Sequence, residues 1–364
     1  MDIAYVTDVA YPWSRGGAEK RTYEIAKKLA TEHQVTIYTM KWWEEKEKQK
    51  TIQKEGITYK AISPKKDLYK NNRRSISEAL GFAIHSLKID NNHDIIDFNI
   101  FPYLPCISGK LRTLNKSKFV VTWHEVWGDY WLDYLGKKGY FGKWTEKLVS
   151  KLPDQIISVS QKTQKDLKKL GAKSKYVPNG INYKEIQKID ESDRGFDVLF
   201  VGRLIPQKNV DILIKSLRDS GLSLGVVGDG PQRDELEEIA ETNEVDVDFF
   251  GETSYSKLIG LIKSCGIFVL PSSREGFGIT VLEAFACGKP VLTVDEEKNA
   301  AKNLVKEPRG LVVQLRGDRI KEGIDELLSL NKEKIEEDAK NFAKKFSWRK
   351  ISNRTLEVYR NLLD

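Results

Sequence analysis

Residues 271–292 read PSSREGFGITVLEAFACGKPVL, and this stretch decides the fold that the sequence predicts. Just before it, residues 267–270 form an apolar run that is typical of a buried strand, and Pro-Ser-Ser ends that run. Residues 279–286 carry apolar side chains at helical spacing, and Gly288 followed by Pro290 predicts the end of this helix. The predicted order is therefore strand, loop and helix.

Two glutamates, Glu275 and Glu283, stand in this stretch with seven residues between them. In an open parallel sheet, the loop after a strand lies where ligands bind, and the first N–H groups of the next helix favour a phosphate. Gly276 and Gly278 allow a ligand to approach the backbone closely. Two carboxylates about one helical turn apart, roughly 5 Å along the axis, suit two separate hydroxyl-bearing groups. The pattern indicates a nucleotide sugar as the ligand.

The spacing of the two glutamates, with EGFG at its start and LEAFACGKPV behind it, resembles the motif of glycosyltransferase family 4, retaining enzymes of the GT-B fold. In a chain with 31% charged residues the bare spacing would mean little, so the setting in strand, turn and helix carries the resemblance. It implies that Glu275 holds hydroxyls of the transferred sugar and that Glu283 holds the nucleotide ribose. It further implies donor contacts at Gly276, Phe277, Gly278, Ile279 and Thr280.

Length and composition favour a globular protein of two domains, because 364 residues exceed one ordinary core. No apolar run approaches the roughly 20 residues of a membrane-spanning helix, and the amino terminus lacks the features of a signal peptide. Cys106, Cys265 and Cys287 form no C-x-x-C pair, which indicates buried thiols without a disulfide or zinc site. We therefore expect a cytoplasmic protein.

The charge is uneven along the chain. Residues 1–195 carry 35 Lys and Arg against 24 Asp and Glu, whereas residues 196–364 carry 25 against 29. The basic half suggests an anionic partner. Its basic segment, residues 65–74, fits either a solvated surface or a contact with anionic lipid head groups. Residues 126–152 interleave aromatic rings with lysines, which suits a lipid interface, a sugar-stacking acceptor groove or an ordinary helix on the sheet.

The amino-terminal residues predict a Rossmann-like domain, with strands at 2–7 and 34–40 around a helix at 18–31. Gly16 and Gly17 precede this helix but lack the spacing of a dinucleotide fingerprint, which argues against a dehydrogenase. Glycines before a helix also occur as plain turn residues. Because the family has a glycine-rich loop here, the resemblance implies that both glycines contact the donor.

A histidine follows the apolar strand predicted at residues 119–122, where the chain reads Trp-His-Glu. A histidine at the carboxyl end of a strand is placed for a ligand crevice, although a structural histidine bonded to the backbone is the alternative. The resemblance implies that His124 is catalytic and reaches toward the donor sugar. Glu125 and Trp127 are the corresponding acceptor candidates.

The second domain begins with a strand at 196–201 and the segment GRLIPQKNV. Arg203 and Lys208 flank the entry to the next helix, and a guanidinium fork with an ammonium group matches a diphosphate. This resembles the family's G-R-x5-K-G segment, with Asn209 in place of the last glycine. A second departure is DEEKNAAKNLVKEPRGLVV at residues 295–313, where the family has a Gly-Gly loop, and we expect it to alter the back of the sugar pocket.

The resemblance implies an α/β fold of GT-B type, with two Rossmann-like domains facing each other across a cleft and a C-terminal helix that returns to the N-terminal domain. We predict an acceptor-side domain at 1–182 that includes helix 347–364, a linker at 183–195, and a nucleotide-sugar domain at 196–346.

The resemblance implies a retaining transfer of a sugar from a nucleoside diphosphate to a glycan, glycolipid or lipid-linked acceptor. No Asp-x-Asp motif follows a strand, so we expect no metal and no other cofactor. An anionic membrane surface is a further candidate partner, with a peripheral place on the inner face of the cell membrane, whereas no nucleic acid partner is expected. A nucleotide-sugar epimerase and a non-catalytic sugar-nucleotide-binding protein are the alternatives.

Overall fold

The computed structural model describes residues 1–14, 16–44, 49–70, 73–114 and 116–364. The chain divides into two compact units. The first comprises Met1–Asn179 together with Trp348–Asp364, and the second is Gly180–Ser347. For Lys70, Arg73 and Arg74 only the backbone is described, so the lipid contact of the basic segment 65–74 stays a prediction.

The first unit combines a large sheet, a small hairpin and a set of helices. Its strands are β1 (Asp2–Val6), β2 (Gln34–Lys41), β3 (Thr51–Lys54), β4 (Ile57–Pro64), β5 (Tyr69–Lys70), β6 (Arg73–Arg74), β7 (Ile95–Asn99), β8 (Lys118–Trp123), β9 (Gln155–Ser158) and β10 (Lys175–Tyr176). Its helices before the second unit are α1 (Gly17–Leu29), α2 (Ile76–Ser86), α3 (Leu104–Thr113), α4 (Tyr130–Leu135), α5 (Gly139–Val149) and α6 (Gln161–Lys169).

The second unit alternates strands and helices. Its helices are α7 (Tyr183–Lys188), α8 (Val210–Ser216), α9 (Arg233–Thr242), α10 (Tyr255–Ser264), α11 (Ile279–Ala286), α12 (Gly317–Ser329) and α13 (Lys332–Ala343). Its strands are β11 (Phe196–Val201), β12 (Leu224–Val227), β13 (Val247–Gly251), β14 (Cys265–Leu270), β15 (Arg274–Glu275), β16 (Val291–Val294), β17 (Lys298–Asn299) and β18 (Gly310–Val313). The chain then returns to the first unit as α14 (Trp348–Leu363). Short 3-10 turns lie at Gly136–Lys138, Pro206–Lys208, Ala300–Asn303 and Lys344–Phe346.

Each unit is built on a sheet whose strand order reverses direction. In the first, the order is β10-β9-β8-β7-β1-β2-β4-β3, parallel except for β3 against β4. In the second, the order is β13-β12-β11-β14-β16-β18, parallel throughout. The reversals occur at β1 and β11, and a crevice at the carboxyl ends of the strands is expected there.

The side chains of β1 show how the first sheet is buried on both faces. Successive residues of a strand point to opposite faces. Ile3 and Tyr5 join a core cluster with side chains of α1 and α14, whereas Ala4 and Val6 join a second cluster with α2, α3, α4 and α5. The two faces of the sheet are therefore covered by different helices, as expected for a doubly wound α/β unit.

The segment predicted as a linker, residues 183–195, begins with a helix in the structure. Helix α7 lies within it and belongs to the second unit. Ile186 of this helix is buried, and Gln187 Nε2 donates a hydrogen bond to the carbonyl of Ala286 at 2.7 Å. A six-residue helix with one buried side chain leaves almost no periodic pattern, so the sequence shows only its polar composition.

All three cysteines are buried and unpaired, as the sequence predicts. Across the described ranges, no helix combines the length and the apolar character needed to cross a bilayer.

Helix α14 attaches to the first sheet through a buried polar cluster. Tyr359 Oη donates to Asp97 Oδ2 at 2.6 Å and lies 3.3 Å from Tyr5 Oη. Asp97 also accepts hydrogen bonds from the main-chain N–H of Thr122 at 3.0 Å and from its Oγ1 at 2.9 Å. Burial raises the pKa of Asp97 to about 6, although these hydrogen bonds and the charge of Arg21 act in the opposite direction.

We expect Asp97→Asn to change the pH dependence of stability. Burial raises the pKa of Asp97 to about 6 in the folded protein, whereas the ordinary pKa of this group, which applies to the unfolded chain, is 3.8. Ionisation is therefore less favourable in the folded state, so the stability that this group contributes is largest below about pH 4 and falls as the pH rises to about 6. One pKa unit corresponds to about 1.4 kcal/mol. Between about pH 4 and pH 6 the free energy of unfolding of the wild type should therefore fall by about 3 kcal/mol relative to that of the variant.

Scanning calorimetry between pH 4 and pH 7.5 measures this effect. The unfolding midpoint of Asp97→Asn should rise relative to wild type as the pH increases to about 6, and the difference should then stay constant. Glu357→Gln removes an exposed carboxylate of α14 and should follow the wild type. A difference between Asp97→Asn and wild type that is the same at every pH would contradict the buried titration.

Candidate functional site

The predicted donor-binding residues of the second unit lie on two loops that are neighbours in space. One follows β11 and the other follows β14, and these two strands pair directly. Asn209 Nδ2 donates to the carbonyl of Pro271 at 2.8 Å, and the N–H of Ser273 donates to the carbonyl of Gln207 at 3.0 Å. The loops therefore form one connected surface at the carboxyl ends of the strands.

Asn209 has a left-handed backbone, with φ 50° and ψ 40°. Glycine adopts this conformation without strain, and asparagine tolerates it better than most residues do. The family's glycine and the asparagine of this chain therefore suit the same turn. The side chain adds the hydrogen bond to Pro271, so the departure from the family pattern strengthens the link between the loops.

Lys208 and Glu275 are brought into direct contact. The Lys208 ammonium group pairs with Glu275 Oε1, and the side chains are only 14% and 15% exposed. The sequence predicted both residues for donor binding but not this pairing. Because an ammonium group has three donors, Lys208 can hold Glu275 and still donate to a phosphate. Arg203 lies exposed on the same loop as Lys208.

The backbone of Glu275 is fixed by the segment in which the chain departs from the family. Strand β15 pairs in parallel with β17, so that Glu275 is opposite Asn299. Asn299 is buried, and its Nδ2 donates to Thr293 Oγ1 at 3.0 Å and to the carbonyl of Val294 at 2.9 Å. Its Oδ1 accepts the N–H of Ala301 at 3.0 Å. Sequence reasoning missed Asn299, because the pairing joins residues far apart in the chain.

The start of α11 has the geometry of an anion-binding helix end, with no acidic side chain in its first turn. Gly278 has φ +92°, and a Cβ there would fall 2.7 Å from Ala301 Cβ. Glycine is therefore required by the backbone and by packing, besides any need for ligand access. Ile279, Thr280 and Gly276 are half-buried. The Phe277 side chain is buried, so a donor contact there would be made by its peptide group.

Glu283 lies deeper than a residue at the surface of a pocket, since it is 3% exposed. Burial and the neighbouring Glu283 carboxylate together raise the pKa of the Tyr255 phenol. Both side chains are therefore close together in the interior near α11. The contact of Glu283 with a nucleotide ribose stays a prediction.

His124 follows β8 at the carboxyl edge of the first sheet and is half-buried. Its Nε2 lies 3.4 Å from Asn99 Oδ1, and its carbonyl accepts Thr163 Oγ1 at 3.1 Å. Burial lowers the pKa of His124 to about 3, and the positive charge of Arg21 adds to this effect. The imidazole is therefore neutral at physiological pH.

Arg21 is a buried cation that the sequence analysis did not single out. Its Nη1 donates to the carbonyl of Pro178 at 2.6 Å and to Asn179 Oδ1 at 3.0 Å. Burial lowers the pKa of Arg21 to about 10. The signal was available, because Arg21 is four residues before Ile25 and eight before Leu29, and these apolar residues mark the inward side of α1.

The other candidates of the first unit lie at or near the same sheet edge. Gly16 is half-buried before α1, and Gly17 is exposed as its first residue. Glu125 is half-buried. The Trp127 ring stacks on Phe101 with centroids 4.6 Å apart, so it is part of an aromatic cluster. The structure brings these residues to one region of the unit, and their roles stay predictions.

Two family models match the chain. The model for Glycosyltransferase Family 4 covers residues 15–185, and the model for Glycosyl transferases group 1 covers residues 182–346. The chain belongs to glycosyltransferase family 4.

Two relatives that are named as glycosyltransferases are similar to this chain. An uncharacterized glycosyltransferase of Methanocaldococcus jannaschii is 31% identical over 233 residues, which is 63% of this chain and 65% of that relative. The chain thus spans just under two thirds of that relative's length. A GDP-mannose-dependent monoacylated alpha-(1-6)-phosphatidylinositol monomannoside mannosyltransferase of Corynebacterium glutamicum is 28% identical over 282 residues, or 69% of this chain and 70% of the relative.

A solved structure with the same fold is that of Anabaena HepE in complex with UDP and glucose. It aligns with a TM-score of 0.76 at 19% identity and covers 99% of each chain. At this identity the likeness shows the fold, which is GT-B as the sequence predicts.

We expect His124 to remain neutral down to about pH 4, because burial lowers its pKa to about 3. Ring proton resonances in an NMR titration would measure this. His124→Gln should remove one set of signals and so assign it. An inflection of that set between pH 5 and pH 7 would contradict the expectation.

The two small replacements of Asn209 should differ in stability. Asn209→Gly keeps the left-handed turn and loses only the side-chain hydrogen bond, whereas Asn209→Ala also adds strain of about 1 to 2 kcal/mol. The unfolding midpoint of the protein should therefore fall further for Asn209→Ala than for Asn209→Gly. Equal midpoints, or a lower midpoint for Gly, would show that the left-handed backbone does not govern this position.

Proposed function

We propose that this glycosyltransferase moves a sugar from a nucleoside diphosphate to an acceptor hydroxyl and retains the anomeric configuration. The observation that supports it most is the Lys208 and Glu275 pair beside the start of α11. A cation and a carboxylate in contact offer adjacent partners for a phosphate and for sugar hydroxyls. The named donor of the Corynebacterium relative and the UDP complex of HepE agree with such a donor.

In this proposal the second unit holds the donor. Arg203, Lys208 and the N–H groups at the start of α11 stabilise the charge that develops on the departing diphosphate. Glu275 binds hydroxyls of the sugar, and Glu283 binds the ribose. The cationic side chains take the place of a divalent ion, so the proposal includes neither a metal nor another cofactor.

The chemical step that we propose takes place on one face of the sugar. The bond from the anomeric carbon to the phosphate oxygen breaks as the bond to the acceptor oxygen forms, and the departing phosphate takes the acceptor proton. Glu275 is held by Lys208 and binds hydroxyls, so it is not the nucleophile of a double displacement. In the first unit, His124, Gly16 and Gly17 serve the donor sugar and phosphates.

The proposed acceptor is a glycan, a glycolipid or a lipid-linked sugar, with Glu125 and Trp127 as contacts. By its name, the Corynebacterium relative acts on a phosphatidylinositol mannoside. We therefore propose a cytoplasmic enzyme that meets its acceptor at the inner face of the cell membrane.

Donor binding is tested by thermal shift with UDP and GDP, and then with their sugar conjugates. A ligand at 100 times its dissociation constant should stabilise the protein by about 2.7 kcal/mol. Lys208→Met should weaken binding about tenfold to a hundredfold, because a charged hydrogen bond contributes about 1.5 to 3 kcal/mol. Lys215→Met removes a surface lysine that pairs with Asp211 and should bind as the wild type does. Equal binding by the two variants would contradict the proposed role of Lys208.

Catalysis is tested with the donor identified in that screen. Release of nucleoside diphosphate should depend on added acceptor and should fall about a hundredfold in Glu275→Gln, since an interaction of about 3 kcal/mol is lost. Near-normal rates in this variant would rule out a central role for Glu275. An epimerase would convert the donor without acceptor, and a binding protein would leave it intact.

A further inference from the structure

The outer surface of the first unit exposes a set of large apolar side chains, which we call the apolar face. Each member is between 45% and 65% exposed: Ile76, Leu80, Ile84 and Leu87 of α2 and its end, Leu111 and Leu114 of α3 and its end, and Tyr140, Phe141 and Trp144 of α5. The four residues of α2 form one stripe about 16 Å long, because they follow each other at helical spacing of 1.5 Å per residue.

These helices form one outer layer. Each buries a residue in the same core cluster on the sheet: Phe82 of α2, Cys106 of α3, Trp131 of α4 and Val149 of α5. A groove of about 90 Å³ between them is lined by Ile76, Leu104, Leu135 and Phe141, among others. The exposed residues therefore lie on the same side of the sheet, and Ile76 of α2 and Phe141 of α5 line the same groove. An extensive exposed apolar surface of this kind marks a site of interaction.

The charged residues around the apolar face are mostly cations. Eight Lys and Arg stand against five Asp and Glu in three segments: residues 75–88, 104–114 and 129–154. One carboxylate, Glu146, is 1% exposed and accepts hydrogen bonds from Tyr103 Oη at 2.5 Å and from the N–H of Trp127 at 2.8 Å. Three others pair with lysines: Glu78 with Lys66 at 3.1 Å, Asp129 with Lys143 at 2.5 Å and Asp154 with Lys110 at 2.9 Å. The surface around the face is therefore positive.

We propose that the apolar face docks on an anionic lipid bilayer. Its aliphatic and aromatic side chains enter the outer hydrocarbon, and the surrounding lysines meet the anionic head groups. A second copy of the chain is a poorer occupant, because a twofold interface would bring the same cations of both copies together. The inference rests on the proposed function in one respect, since a contact with the bilayer would bring the enzyme to a lipid-linked acceptor.

Cosedimentation of the full chain with vesicles tests the proposal. Vesicles of phosphatidylcholine mixed with phosphatidylglycerol should bind about tenfold more protein than phosphatidylcholine alone, because each nearby lysine gains free energy at an anionic surface. Added salt should reduce the difference by screening. Equal binding to both vesicles, or binding to neither, would overturn the proposal.

Two double variants separate the apolar and the charged contributions. Ile84→Asn with Trp144→Ser, and Lys137→Gln with Lys138→Gln, should each lower binding to the mixed vesicles about tenfold. Leu330→Ser removes an exposed leucine of the second unit and should leave binding unchanged. If both double variants bind as the wild type does, the face is not the docking site.

Two further measurements complete the test. A dimer in lipid-free sedimentation that dissociates in the double variant Ile84→Asn with Trp144→Ser would overturn the proposal, because a second copy would cover the face. Thermal shift with UDP and GDP on the same samples confirms that the variants fold. In the wild-type chain, absent vesicle binding with intact nucleotide binding contradicts this inference alone, whereas vesicle binding without nucleotide binding contradicts only the proposed function.

Discussion

The contact between Lys208 and Glu275 is the constraint on which the second unit depends. Both side chains are largely withdrawn from water, and a withdrawn charge is stable only beside an opposite charge or a hydrogen-bond partner. The pair requires the loops after β11 and β14 to be adjacent, and the strand order makes them so. Asn209 holds one loop and Asn299 supports the other. Strand order, turn conformation and side-chain pairing are thus parts of one arrangement.

In the first unit, too, a buried polar group depends on hydrogen-bond partners from other parts of the chain. Asp97 lies in a central strand of its sheet, and its partners come from β8 and α14. The carboxyl is fully buried, so the hydrogen bond from Tyr359 reduces the cost of placing it there. Arg21 is buried in the same unit and donates to the chain at Pro178, next to the boundary of the unit. Buried polar groups therefore fix the ends of the chain that enter and leave this unit.

Local patterns in the sequence were sufficient to predict the longer helices and strands. Helix 279–286 is found where apolar spacing and Gly288 place it, and the C-terminal helix begins after Ser347 as expected. The elements that were missed are short, such as β3 and α7, because four to six residues do not establish a period. The contacts that shape the candidate site, between Lys208 and Glu275 or β15 and β17, join distant parts of the chain and leave no local pattern.

The return of α14 to the first unit has a consequence for biosynthesis. Tyr359 is made 262 residues after Asp97, its hydrogen-bond partner. A ribosome that adds about 5 to 20 residues per second needs roughly 15 to 50 seconds for that interval. Until then the nascent first unit lacks one of the two helices that cover one face of its sheet, and the entire second unit emerges in the meantime. The domain that is translated first is therefore the last to be completed.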